Sequence, residues 1–173
     1  MKTLGNVRAR LAGTLDALRP PAVAYAHCDI PCGIYDPHEA QIGALTVLRM
    51  VQLIQEAKGA GTPEEQKVAQ SRISRYTAVK EQHAERVKHE IRVIWGDYFT
   101  ADMLKQFPQT SELVLKILKQ ASKARQEVDA TAAQDLLSSV QEFAEIFWKT
   151  KNVVTKKLPS HQKSGGEIVY PAA

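Results

Sequence analysis

The chain has 173 residues, 44% apolar and 24% charged, the proportions of an ordinary globular domain. No run approaches the roughly eighteen apolar residues of a membrane span, and two cysteines make no disulfide framework. The net charge of +4 is concentrated in residues 1–26, where Lys2, Arg8, Arg10 and Arg19 stand against Asp16. The rest is nearly neutral, which excludes a nucleic-acid surface built on bulk charge.

Residues 1–26 differ in character from the remainder of the chain. Leu4, Val7, Leu11, Leu15 and Leu18 recur at steps of three and four, the spacing of a short amphipathic helix. Pro20 and Pro21 end it and leave an extended linker, Ala22 to Ala26, open to proteolysis. Ala24-Tyr25-Ala26 resembles a signal-peptidase site, but Arg8, Arg10, Asp16 and Arg19 interrupt every candidate apolar core. The expectation is a leader cut between Ala26 and His27 in the cytoplasm. The alternative is a disordered tail, in which case His27 offers only its side chain.

Both cysteines fall in HCDIPCGIYDP, residues 27–37. Pro31 fixes its own φ and drives Ile30 to extended geometry, so Cys28 and Cys32 can face one side of a small loop. On spacing alone, CxxxC fits a disulfide, a zinc half-site or two unrelated thiols. A structural zinc site wants four donors, and the local side chains offer two sulfurs and one imidazole. Square-planar nickel or copper can instead draw on backbone nitrogen, and thiolates suit an ion that changes oxidation state. A cut before His27 would supply an α-amine (pKa about 8) and, with the Cys28 amide, complete a plane. Thiolates awaiting a metal must stay reduced, which favours the cytosol.

The body reads as helix. Asp36 is the expected N-cap of a first helix that carries Ile42, Leu45, Val47, Met50, Val51 and Ile54 and stops at Gly59 and Gly61. Thr62-Pro63-Glu64-Glu65 is a capping box with proline at the first helical position. The helix it opens runs to about Trp95, with Ala69, Ile73, Tyr76, Val79, His83, Val87, Ile91 and Ile94 as its inward stripe. His83 therefore points inward, as a core histidine bonded to a carbonyl would. His38, His89 and His161 are read as surface residues, and Trp95, Tyr98 and Phe99 as a packing cluster. A third helix is expected over Ser111–Lys123, and a fourth over Asp129–Lys151 with Ala133, Leu136, Val140, Phe143 and Phe147 inward. The fold class is all-α, an antiparallel four-helix bundle with an N-terminal metal-binding hook. Residues 152–173, with Pro159, Gly165, Gly166 and Pro171, are expected to be a flexible tail.

HCDIPCGIYDP closely resembles the nickel-binding hook of nickel-containing superoxide dismutases, with further similarity in KEQHAERVKHEIRVIWGDYF (Lys80–Phe99) and EIFWKTK (Glu145–Lys151). The resemblance covers about Ala26 to Lys151. It implies a maturation protease that makes His27 the first residue. It also implies one nickel ion per subunit, held by the His27 amine and imidazole, the Cys28 amide and thiolate, and the Cys32 thiolate. Superoxide would be converted to oxygen and hydrogen peroxide by Ni(II)/Ni(III) cycling. Tyr35 resembles the family tyrosine that limits access at the open axial face, and Asp29 its neighbour in shaping the pocket. The family's homohexamer of four-helix bundles would cover the hook. At the positions of Gly43 and His83 the family pattern has a glutamate and an arginine that prop the axial imidazole, and neither is present here. His83 is the candidate substitute. Two rival readings are a metal-holding bundle without turnover and a helical interaction protein with a disulfide or idle cysteines. Neither nucleic acid nor membrane is an expected partner.

Overall fold

The computed structural model describes residues 33–57 and 61–172. Helix α1 spans His38–Glu56. The Asp36 carboxylate accepts the His38 N–H at 2.8 Å, so Asp36 serves the helix start from one residue before the N-cap, which is Pro37. Helix α2 spans Pro63–Val93 and opens on the expected capping box. The Thr62 hydroxyl accepts the Glu65 N–H at 3.3 Å, and the Glu65 carboxylate accepts the Thr62 N–H at 3.1 Å. Gly61, at φ +60, supplies the left-handed residue that turns the chain into it. The long helix passes at Ile94–Tyr98 into a π-helical turn, so its expected end near Trp95 lies inside that turn.

A six-residue helix, α3 (Ala101–Gln106), comes next, with the Thr100 hydroxyl accepting from the Met103 N–H; the sequence pattern does not announce it. Helices α4 (Thr110–Gln126) and α5 (Ala130–Thr150) occupy the third and fourth expected stretches. Asp129 caps α5 by accepting the Thr131 N–H at 2.8 Å.

The four long helices pack in a closed cycle, α1 against α2 and α5, and α4 against α2 and α5. Their shared core holds Val47 and Val51 of α1, Val87 and Ile91 of α2, Ile117 and Ala121 of α4, and Leu136, Val140, Phe143 and Phe147 of α5. The inward stripe read for the fourth helix is buried throughout. The N-terminal half of α2 is mostly solvent-facing, with Ala69 its first buried residue.

The C-terminal segment corrects the expectation of a flexible tail and of an all-α fold. Strands β1 (Thr155–Pro159) and β2 (Glu167–Pro171) form an antiparallel hairpin with Thr155 opposite Pro171 and Pro159 opposite Glu167. The glycines that suggested mobility instead make its turn, Gly165 at φ +72 and Gly166 at φ +77. The Ser160 N–H donates to the Gly166 carbonyl at 2.9 Å, and the Ser160 hydroxyl to the Gly165 carbonyl at 2.7 Å. Ile168 and Val169 are buried against the helices, and that burial orders the segment. The molecule is mostly helical with one appended hairpin.

Candidate metal centre

The candidate donors His27, Cys28 and Cys32, with Asp29 and the Ala26–His27 bond, lie outside the described residues. Among the described residues no trio of His, Cys, Asp or Glu is grouped to hold a metal. The structure describes the root that carries the candidate donors. Gly33 adopts φ +71, a conformation that disfavours any side chain, and among the described residues beyond its chain neighbours no atom lies within 4 Å of a Cβ built there. Ile34 is exposed, Tyr35 is half-buried, and Pro37 is buried where α1 begins.

Tyr35 fixes the root to the helices. Its ring centroid lies 5.7 Å from that of Tyr98 at an interplanar angle of 52°, and it packs on the central core. Tyr98 is itself held on several sides. Its hydroxyl is 2.7 Å from Thr150 Oγ1, and its ring lies 4.8 Å from Phe147 and 5.4 Å from Phe99. The Thr150 hydroxyl also donates to the Phe147 carbonyl at 2.6 Å. Lys151 Nζ sits over Tyr98, Phe147 and Trp148 at 5.3, 4.9 and 5.8 Å from the ring centres. A cation over ring faces is attracted by their quadrupoles. The π turn delivers Tyr98 to this place from α2. Sequence reasoning treats Tyr98 as packing and passes over Lys151; only WGDYF and EIFWKTK signal the region.

His83 and Gly43 meet on the other side of α1. A Cβ at Gly43 would lie 2.8 Å from Val87 Cγ2 and 3.4 Å from the His83 carbonyl. Gly43 therefore lets α1 approach α2 over His83, and a glutamate there cannot be built while Val87 keeps its place. Among the described residues, the buried His83 Nδ1 meets no hydrogen-bond partner. Burial, then the nearby Arg86 charge, pulls the imidazole below its ordinary 6.5, with Glu39 opposing. The neutral ring is favoured. Arg86 pairs with Glu39 at 2.5 Å and ties the first turn of α1 to α2. His38 is half-buried, its ring 6.0 Å from Tyr170 of β2.

The model of the nickel-containing superoxide dismutase family matches residues 22–151, a stretch that includes the candidate donors, the root, and the segments Lys80–Phe99 and Glu145–Lys151. The chain belongs to that family.

Relatives agree. The nickel superoxide dismutase of Streptomyces coelicolor is 37% identical over 132 residues, covering 76% of this chain and 93% of that one. The Streptomyces seoulensis protein is 36% identical over the same length and coverage. Among solved structures, native nickel superoxide dismutase is 36% identical with a TM-score of 0.59, covering 72% of this chain and 99% of the other. A structure with nickel ligation of the oxidised state gives a TM-score of 0.62 at 33% identity, covering 73% and 99%. Membership makes the chain an enzyme of the nickel superoxide dismutase type with one nickel ion per subunit. Among the described residues no helix is long and apolar enough to cross a membrane.

Proposed function

We propose that the chain dismutates superoxide at a nickel ion held by residues His27–Cys32 once cleavage before His27 frees the new amino terminus. The observation that carries this is the family match across residues 22–151, which takes in HCDIPC and the described root after it. The donor chemistry fits: the His27 amine and imidazole, the Cys28 amide and thiolate, and the Cys32 thiolate would hold nickel. Bound there, nickel would supply a one-electron couple between its +2 and +3 states, lowered into range by anionic sulfur and amidate donors, for the net conversion of two superoxides and two protons to oxygen and hydrogen peroxide.

The chain's own residues do the rest. Tyr35 would limit access to the metal site and order water there, while Tyr98, braced by Thr150 and Phe147, keeps Tyr35 at the root. Asp29 shapes the pocket. His83 stands in for the family's arginine, with a neutral ring and a buried nitrogen unclaimed among the described residues as the observation that favours it. The surrounding architecture is read as an antiparallel four-helix bundle, and the assembly as a cytoplasmic homohexamer whose neighbours shield thiolates that would otherwise oxidise.

Intact mass and metal analysis of protein from nickel-fed cells, before and after cleavage, test the proposal. The expected result is an inactive full-length chain and an active form beginning at His27 with one nickel. Activity in a form that keeps residues 1–26, or undiminished in Cys28→Ser or Cys32→Ser, would overturn it.

A further inference from the structure

The family match ends at residue 151, before β1 begins at Thr155, so the hairpin is an addition to the matched pattern. A two-stranded hairpin is marginal alone and takes its order from what it docks on. Here it docks along α1 in the reverse direction. At its turn, Gln52 Nε2 donates to the Ser164 carbonyl at 3.1 Å. Next, a Cβ at Gly166 would lie 3.1 Å from both Leu45 and Leu137, a tight approach at φ +77 that favours glycine. The Gln41 amide then meets Val169 with both of its polar atoms. Nε2 donates to the Val169 carbonyl at 3.1 Å, and Oε1 accepts the Val169 N–H at 2.7 Å. Gln41 thereby occupies the β2 edge as a strand would. Finally Tyr170 reaches His38, the first residue of α1.

The hairpin thus ends on the turn of α1 from which residues 33–37 lead to the candidate donors. From the other side that turn is held by the Arg86–Glu39 pair and by the close approach at Gly43. We infer that the C-terminal hairpin is a clamp that positions the root of the metal-binding hook, acting through Gln41 and Tyr170 as positioning residues on the first turns of α1. The inference rests on the proposed site at His27–Cys32.

The test compares full-length Tyr170→Ala and Gln41→Leu with Lys157→Gln. The last removes the hairpin's 3.1 Å ion pair with Glu145 on α5 and leaves α1 untouched. Amide exchange is measured in metal-free full-length protein at Gln41–Leu45 of α1 and at Val114–Leu118 of α4. Nickel loss to a chelator is measured in the cleaved, loaded forms. The clamp predicts that Tyr170→Ala and Gln41→Leu speed exchange at Gln41–Leu45 about tenfold relative to α4, and nickel loss by about tenfold, the scale of lost support around metal ligands. Lys157→Gln should leave both rates within about twofold of the unsubstituted protein. Exchange that rises equally in α1 and α4 would show a contribution to global stability only and overturn the clamp, as would unchanged nickel loss. Nickel missing from the unsubstituted cleaved protein would instead overturn the site at His27–Cys32, while the metal-free exchange measurement still decides whether the hairpin restrains the root.

Discussion

Lys80 Nζ donates to the main-chain carbonyl of Glu127 at 2.7 Å from a side chain that is 1% exposed. It also reaches the carbonyls of Ala124 at 2.8 Å and Arg125 at 2.7 Å. One ammonium from the middle of α2 thus satisfies three carbonyls at the C-terminus of α4, where the helix dipole favours positive charge.

Lys80→Met keeps the bulk and leaves those three carbonyls without this donor, so a loss of about 2–4 kcal/mol is expected in urea unfolding. Burial is the largest influence on the amine and holds it below its ordinary 10.5, with Glu81 and Glu127 opposing. Between the native value and 10.5 the unfolded chain binds more protons, so Lys80 makes stability rise with pH across that window. Lys80→Met should be free of that alkaline rise.

Gly43→Ala sets two effects against each other. Replacing a mid-helix glycine gains about 1 kcal/mol of propensity. A Cβ 2.8 Å from Val87 Cγ2 overpacks the α1–α2 contact, at a typical cost of about 1–3 kcal/mol. Net destabilisation is expected, and Val87→Ala in the same chain should relieve the clash. A double-mutant cycle by denaturant unfolding checks the coupling. Gly43→Glu likewise requires room at Val87.

His83 gives the fold an acid sensitivity. Its native pKa lies below the unfolded 6.5 because burial and Arg86 disfavour the charged ring. As pH falls from about 6.5 through the native value the unfolded chain takes up the proton first, and stability declines; above 6.5 the contribution is fully present. Unfolding curves between pH 7 and pH 5 should fall less steeply for His83→Gln than for the unsubstituted chain. An identical slope would mean that the ring is not held neutral.

Tyr98→Phe removes the 2.7 Å contact with Thr150 but keeps the ring against Tyr35 and Phe147. The expected cost is about 1 kcal/mol in thermal unfolding. Tyr98→Ala deletes the ring as well and should cost about 3 kcal/mol or more. If Tyr98 supports Tyr35 at the site, Tyr98→Ala should also lower superoxide turnover well beyond Tyr98→Phe, compared at temperatures where both are folded.

Where local chemistry decides the structure, the sequence announces it. Thr62 and Glu65 close their capping box, Asp129 caps α5, and the stripe from Ala133 to Phe147 is buried as its spacing requires. The motif at residues 27–37 signals the family through its resemblance to the nickel hook, since the CxxxC spacing alone leaves a disulfide, a zinc half-site or unrelated thiols open. Features that depend on distant partners are hidden. Lys80 looks like a surface cation until Glu127 is folded onto it from 47 positions away. The hairpin escapes notice because its strands are five residues each, end in prolines, and are ordered by Gln41 from 128 positions away. Thr100 marks α3 only weakly, since a six-residue helix has little periodicity to display.

The π turn at Ile94–Tyr98 has a consequence for how this helix tolerates change. A π turn is the trace of one inserted residue, and each residue of an α-helix advances the direction of its side chain by about 100°. Deleting one position between Ile94 and Tyr98 would straighten the helix and swing the phenol away from α5, detaching it from Thr150. Length at this bend, more than side-chain identity at most of its positions, decides which way the helix hands its final aromatic ring.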